Sequence, residues 1–107
     1  CLDPGPNLLT LLFLILLRFR LRRVPLVSDI TSAFHQLLLR KEDRKWVQFI
    51  WKGRVLRFTR LPFGLSSSPF LLLHTLRHHY ATLPDDLRTL LEASTYMDDV
   101  TSSFDDE

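Results

Sequence analysis

The sequence predicts an α+β fold within a single domain, and three features of the chain indicate this class. Runs rich in β-branched and aromatic residues predict strands at positions 24–30, 46–51 and 55–60. Apolar spacing and typical end residues predict helices at positions 8–17, 68–80 and 82–93. The chain has 107 residues, of which 46% are hydrophobic, so it can bury one core.

The first predicted helix follows a loop at residues 1–7, in which Asn7 is placed to cap the helix. Residues 8–17 are nearly all apolar, and arginines follow at positions where a helix dipole favours cations. We therefore predict a buried helix. Crossing a bilayer takes roughly 20 residues, so a membrane anchor is the weaker alternative for this segment.

The next region predicts a strand followed by irregular structure. Residues 24–30 begin with the apolar run Val24-Pro25-Leu26-Val27 and end in Ser28-Asp29-Ile30, which predicts a buried strand with Asp29 held at the edge of a sheet. Residues 31–39 fit either a helix or a turn followed by a strand. Residues 40–45 are mostly charged and predict a turn.

A β-hairpin is predicted from the two aromatic-rich runs at 46–51 and 55–60, which Lys52-Gly53-Arg54 joins. Its aromatic residues can either stack on nucleic-acid bases or pack within the hairpin, and packing is the favoured interpretation. They are Trp46, Phe49, Trp51 and Phe58.

A turn of small residues leads into the second predicted helix, with Ser68 as N-cap and Pro69 at the first helical position. Gly64 in this turn permits close approach of another backbone, such as a nucleic-acid strand, although an ordinary loop is the simpler interpretation. In the third predicted helix Pro84 precedes Asp85 and Asp86, which suit a helix N-terminus.

The stretch Thr95-Tyr96-Met97-Asp98-Asp99-Val100 predicts a tight hairpin that presents two carboxylates. Adjacent residues on a regular strand point to opposite faces, so the two acids can converge only where the backbone turns. Asp29 is the best candidate for a third acid. Hard cations such as Mg²⁺ take oxygen ligands, so the three acids together are candidates for a metal site. A solvated turn and a helix cap are the ordinary alternatives.

Charge is distributed unevenly along the chain, although the net charge is only +2. Residues 18–60 hold twelve arginines and lysines and three acidic residues, whereas residues 61–107 hold two arginines and eight acidic residues. A basic surface beside an acidic pocket suits an enzyme that acts on nucleic acid, because phosphate contacts supply most non-specific affinity. Ordinary solvated faces are the alternative. His74 and His78 have helical spacing for a shared metal, but companion ligands are missing, so we interpret the histidines as surface residues.

One cysteine excludes an internal disulfide framework and favours a reducing compartment. The first residue is Cys1, no signal-peptide pattern is present, and the chain ends just after the acidic hairpin. We therefore expect a piece of a larger protein, located in the cytoplasm.

Three groups of residues, taken in order, resemble the central motifs of reverse transcriptases. They are Asp29-Ile30-Thr31-Ser32-Ala33-Phe34, Leu61-Pro62-Phe63-Gly64 with Ser68-Pro69, and Tyr96-Met97-Asp98-Asp99. The likeness is closest to the BEL/Pao group of LTR retrotransposons and covers nearly the whole chain. Other stretches with counterparts in that group are Gly5-Pro6-Asn7-Leu8-Leu9, Leu16-Leu17-Arg18-Phe19-Arg20, Asp43-Arg44 and Phe49-Ile50-Trp51.

This resemblance implies a partial reverse transcriptase domain over residues 1–107. The expected fold is an incomplete palm, in which an antiparallel sheet is backed by helices in the split βαβ style, with part of the fingers. The thumb, the ribonuclease H region and the basic upstream fingers are absent. The implied activity is RNA-directed DNA polymerisation, although we expect these 107 residues alone to be inactive.

The resemblance also implies the metal ligands. Asp29, Asp98 and Asp99 would be the catalytic carboxylates that hold two Mg²⁺ ions, or Mn²⁺ in their place, and the backbone carbonyl of Ile30 would be an extra ligand. Asp29 and Asp98 would matter most, whereas Asp99 would act more through electrostatics and hydrogen bonds.

Other residues are implied to contact the substrates, which would be deoxynucleoside triphosphates and an RNA or DNA template-primer. Phe34 would exclude the 2′-hydroxyl of a ribonucleotide, and Ala33 would offer its amide to the triphosphate. Phe63 would pack against the nucleotide and Met97 would lie near the primer end. The residues expected to border the template and primer or to buttress the hairpin are Gly64, Pro69 and Tyr96.

Three interpretations of the function remain open on the sequence alone. The chain is either a polymerase fragment of a retrotransposon polyprotein, or a non-catalytic piece, which is a decayed remnant or a nucleic-acid-binding fragment without polymerase activity. A membrane-associated helical protein is a third interpretation, and it would need a longer apolar run than residues 8–17. For the first interpretation, the expected further partner is the remaining polyprotein, with no membrane, and the expected location is a cytoplasmic retrotransposon particle.

Overall fold

The computed structural model describes residues 3–105 and has an α+β fold with two antiparallel sheets. The helices are α1 (Leu12–Phe19), α2 (Ser68–Tyr80) and α3 (Asp85–Ser94), and short 3-10 helices cover Ala33–Gln36 and Arg44–Trp46. The strands are β1 (Val24–Asp29), β2 (Gln48–Trp51), β3 (Arg54–Arg57), β4 (Thr95–Tyr96) and β5 (Asp99–Phe104). The predicted fold class is therefore confirmed at this level.

A three-stranded sheet with the order β1-β5-β4 forms the main body, and helices α1 and α3 pack against its central strand β5. The described hydrophobic core is small and lies around these contacts and helix α2. It consists of Ile15, Ala33, Leu61, Leu72, Leu73 and Tyr80. Among the described residues, no helix has the length and apolar character needed to cross a membrane.

Helix α1 starts later and is more exposed than predicted. Its first residue is Leu12, and Asn7 does not cap it; the Asn7 side chain instead accepts a hydrogen bond from the Leu9 amide. The described segment before it has no regular secondary structure, and Arg77 donates to its Leu8 carbonyl at 2.7 Å. Ile15 is the buried residue of α1, so the prediction of a helix buried along its length is wrong.

Strand β1 occupies the predicted position, but the prediction of a buried strand is wrong. It lies at the edge of the sheet, and all of its residues after Val24 are exposed. Helices α1 and α3 cover β5 rather than β1, which explains why apolar side chains on β1 remain accessible.

The second sheet is the predicted hairpin of β2 and β3, whose register pairs Trp51 with Arg54 and Gln48 with Arg57. Lys52 and Gly53 form the two-residue turn with φ values of 49° and 73°. Positive φ at both central positions is typical of the turns whose twist matches a hairpin, and it explains the glycine.

Helix α2 ends at Tyr80 as predicted, but its N-cap is Ser67 rather than Ser68. The buried Ser68 hydroxyl instead donates to the Pro62 carbonyl at 2.9 Å, which ties the helix to the preceding loop. At the other end of α2, the Tyr80 hydroxyl lies 3.1 Å from the Thr95 hydroxyl. Both ends of α2 are therefore fixed to segments that carry predicted site residues.

Three residues on which predictions from the sequence depended lie outside the described range. Cys1 carried the expectation of a reducing compartment, and Asp106 and Glu107 belong to the acidic half of the chain. The predicted loop at residues 1–7 is described from Asp3 onward, and it contains no regular helix or strand.

Candidate functional site

The acidic hairpin forms as predicted, and strand register brings the third acid to it. Tyr96 of β4 pairs with Asp99 of β5, so Met97 and Asp98 form a two-residue turn. On the other side of β5, Asp29 at the end of β1 is the direct cross-strand partner of Asp99. The sheet therefore places acids from two segments about 70 residues apart in sequence at one edge.

The backbone at this edge is fixed by two local features. Met97 has a φ of 54°, in the left-handed region that residues with a side chain adopt only rarely. The Ile30 amide donates to the Asp98 carbonyl at 2.9 Å, which extends the β1–β5 pairing into the turn. Both features restrain the backbone of the turn that carries Asp98.

The three carboxylates form a cluster suited to a cation. One oxygen from each of Asp29, Asp98 and Asp99 lies within 4.8 Å of the others, and the Asp29 and Asp99 side chains are exposed. Like charges directly opposite on neighbouring strands repel each other. Neutralising part of this charge, by a proton or by a divalent ion, would stabilise the hairpin.

Electrostatics at Asp99 reflect this crowding. Desolvation and then the negative charges of Asp98 and Asp29 raise the pKa of Asp99 above its ordinary value of 3.8. A side-chain hydrogen bond with Asp29 acts in the same direction because it favours the protonated form. Asp99 therefore holds a proton more readily in the folded chain than in the unfolded chain.

This raised pKa predicts a pH-dependent stability. The folded state binds the Asp99 proton more tightly than the unfolded state does. The stabilisation that comes from this protonation is therefore complete below the ordinary pKa and is lost as pH rises through the raised pKa. In metal-free buffer, Asp99→Asn should therefore melt at a higher temperature than the wild type at neutral pH, and this difference should disappear in acid. Thermal denaturation of both proteins across this pH range measures it.

Asp86→Asn is a control for that comparison, since it removes one carboxylate from the first turn of α3. The negative charge of Asp86 is favourable at a helix N-terminus, so Asp86→Asn should melt at a lower temperature than the wild type at neutral pH. A wild-type melting temperature equal to or above that of Asp99→Asn at neutral pH would contradict the prediction.

An aromatic cluster gathers the residues implied to contact a nucleotide. The Phe34 and Phe63 rings meet edge to face with centroids 5.0 Å apart, and Phe63 contacts the His35 ring at 5.1 Å. Phe63 is nevertheless 64% exposed, which leaves much of its ring accessible. Sequence analysis missed the His35 contact and treated this residue only as a surface histidine. No local sequence pattern indicated this contact, because it joins residues 28 positions apart in the chain.

Hydrogen bonds to backbone carbonyl groups hold the two halves of this cluster together. The Leu61 amide donates to the Leu37 carbonyl at 2.9 Å, and the Arg60 side chain donates to the Gln36 carbonyl at 3.1 Å. Ala33 is buried as a whole residue, with 3% of its surface exposed, so the amide implied to meet a triphosphate is covered in this structure. The segments that carry Phe34 and Phe63 are therefore joined at several points.

The remaining predicted site residues lie on the loop, the second helix and the hairpin. Gly64 is exposed, has a φ of 86°, and would have open space around an added Cβ atom. Pro69 lies in the first turn of α2 and is half-buried, as are Tyr96 and Met97. Gly64 is required here by its backbone conformation, and the free space beside it is compatible with a neighbouring strand.

A groove separate from the acidic site is present in the described part of the chain. It has a volume of about 750 Å³ and lies between the segment after β1 and helix α2. Mostly apolar side chains line it, and Asp29, Asp98 and Asp99 are not among its lining residues. The acidic cluster is instead an open, exposed edge.

Two groups of predicted residues are thus brought together, namely the three acids and the pair Phe34 and Phe63. The histidines are all exposed, and among the described residues the acids form the one group of three or more potential metal ligands. No protein-family model matches the chain, and no curated protein or solved structure matches it either.

Proposed function

We propose that this chain is the palm part of an RNA-directed DNA polymerase that uses two Mg²⁺ ions to transfer a nucleotide to a primer 3′-hydroxyl. The observation that carries this proposal is the convergence of Asp29, Asp98 and Asp99 within 4.8 Å at one edge of an antiparallel sheet. Carboxylate oxygens suit Mg²⁺. Two-metal sites hold their ions roughly 3.5–4 Å apart, so acids at this spacing fit such a pair.

The three acids have different roles in this proposal. Asp29 and Asp98 would be the principal ligands, with the Ile30 carbonyl as an additional one. Asp99 would act mainly through its charge and its hydrogen bond to Asp29. When bound, the two ions would activate the primer hydroxyl and offset negative charge on the reacting phosphate.

The aromatic cluster would bind the nucleotide. Phe34 would lie beneath the sugar and exclude a 2′-hydroxyl, and its edge contact with Phe63 would restrain the ring in that position. The accessible part of Phe63 would pack against the nucleotide. Met97 would lie at the primer end. Gly64, Pro69 and Tyr96 would border the template and primer.

A second candidate function is nucleic-acid binding without catalysis. The observation that favours it is the hairpin of β2 and β3, which is exposed along its whole length and rich in cations. Such a surface supplies affinity for phosphate whether or not the acids hold metal ions. The two candidates therefore differ in whether incorporation of nucleotides accompanies binding.

Primer extension tests the polymerase directly. The natural-length product of the open reading frame that contains this chain would be incubated with a poly-A template, an oligothymidylate primer, deoxythymidine triphosphate and Mg²⁺. We expect incorporation that stops when a chelator removes the ion and returns when Mg²⁺ is restored. A folded natural-length product that binds the template-primer but incorporates nothing would overturn the proposal and support the second candidate.

A further inference from the structure

The hairpin of β2 and β3 is an uncovered arm of the molecule. All residues from 48 to 60 are exposed, and its sheet contains only these two strands. A two-stranded hairpin is marginally stable in water when nothing packs on it. Binding of a partner to one of its faces would therefore both stabilise the hairpin and cover its apolar side chains.

One face of this hairpin is aromatic. Cross-strand partners share a face, so the pairs Phe49 with Leu56 and Trp51 with Arg54 lie on the same side. Phe58 extends this side, because its ring lies 5.0 Å from that of Phe49. We call these five residues the aromatic face. Trp51 at its outer end is 61% exposed, so much of its surface is accessible to a ligand.

The surroundings of the aromatic face are strongly basic. Residues 40–60 hold eight arginines and lysines and two acidic residues. The Lys52 ammonium group lies 5.9 Å from the centre of the Trp51 ring, and Lys45 lies 4.8 Å from that of Trp46. A second copy of this surface would be repelled by like charge, so the charge favours an anionic partner.

We propose that the aromatic face binds single-stranded nucleic acid. Bases would stack on Trp51 and Phe49, and Lys52 and Arg54 would contact the flanking phosphates. Aromatic rings interleaved with cations are the usual means of binding single strands without sequence preference. An acidic peptide would satisfy the cations but would leave the rings without stacking partners. This inference rests on the nucleic-acid binding proposed above for the same hairpin. It does not depend on the two-metal reaction, because the five residues of the aromatic face include none of the three acids.

The chain's own fluorescence can test this proposal. Its two tryptophans, Trp46 and Trp51, both lie at the hairpin. We expect saturable quenching when the 107-residue chain is titrated with an oligothymidylate of about 12 nucleotides, a length within the usual site sizes. A chelator in the buffer removes divalent ions and so separates this binding from the metal site.

Substitutions on the two faces of β2 provide the matched comparison. Trp51→Ala should weaken binding of a labelled oligothymidylate about tenfold, and Trp51→Phe should retain most of the affinity because a ring remains. Ile50→Ala is the control, since Ile50 is 75% exposed on the opposite face, and it should change affinity less than about twofold. Arg54→Gln should reduce the slope of log affinity against log salt concentration by about 1, which corresponds to the loss of one phosphate contact.

Several results would overturn the proposal. One is binding that Trp51→Ala leaves unchanged while circular dichroism shows an intact fold. Another is binding of an abasic strand as tight as that of the oligothymidylate, because binding would then come from phosphate charge without base stacking. A polyglutamate that competes fully and depends equally on Trp51 would indicate a surface for acidic peptides. A natural-length product that lacks polymerase activity but still binds through Trp51 would refute the polymerase and support this surface.

Discussion

Asp98→Asn should reduce deoxynucleotide incorporation by the natural-length product about a thousandfold. Metal-ion stabilisation of the transition state supplies several kcal/mol, and each 1.36 kcal/mol corresponds to about a factor of ten in rate. Asp98 is the half-buried acid of the cluster, and its position in the turn is fixed by the bond from the Ile30 amide. Asparagine keeps the shape of the side chain but loses the charge that would hold an ion. Steady-state primer extension measures this effect.

Two controls make the result specific. Asp86→Asn removes a carboxylate from α3 and should leave the rate within about twofold of the wild type, because surface substitutions away from a site have small effects. Mg²⁺ at about 100 times its Kd should also stabilise the wild-type 107-residue chain by about 2.7 kcal/mol, and Asp98→Asn should lose this protection. Incorporation by Asp98→Asn within about tenfold of the wild type would contradict the two-metal assignment.

Ile15→Ala should lower the free energy of unfolding by about 2–5 kcal/mol, as expected for truncating a fully buried aliphatic side chain. Ile15 is 1% exposed and is the buried residue through which α1 packs on the sheet. Since domains are typically stable by only about 5–15 kcal/mol, this loss should be large. We expect the melting temperature to fall by about 10 °C or more.

Leu16→Ala is the matched control for this prediction. Leu16 is the next residue of the same helix but is 47% exposed, so its truncation should change stability by about 0.5 kcal/mol or less. Urea denaturation of the two variants and the wild type measures the difference. Equal losses for Ile15→Ala and Leu16→Ala would mean that α1 is covered on both sides, contrary to the arrangement described above.

The acidic cluster could be predicted from sequence because it depends on local geometry. Asp98 and Asp99 can converge only in a turn, and β-favouring residues on either side restrict the turn to a hairpin. The position of Asp29 after an apolar strand indicated a third acid at a sheet edge. Residue type and spacing were therefore sufficient to identify the three acids before any contact was known.

Burial could not be predicted in the same way, because it depends on what covers each element. Residues 24–30 have the composition of a buried strand, yet β1 is an edge strand because α1 and α3 pack on β5. The late start of α1 has a similar origin. The bond from Arg77 to the Leu8 carbonyl joins residues 69 positions apart and competes with helix formation, which local sequence patterns do not reveal.

The pairing of Asp29 with Asp99 makes the site sensitive to strand alignment. Sliding β1 by one residue would turn Asp29 to the other face of the sheet, since side chains alternate with a period of two. Sliding it by two residues would restore the face but displace the carboxylate by about 6.6 Å. The three acids therefore meet in a single alignment of β1 and β5. A cation bound by all three acids would stabilise this register of β1 and β5, because its binding energy would favour this alignment over every shifted alignment.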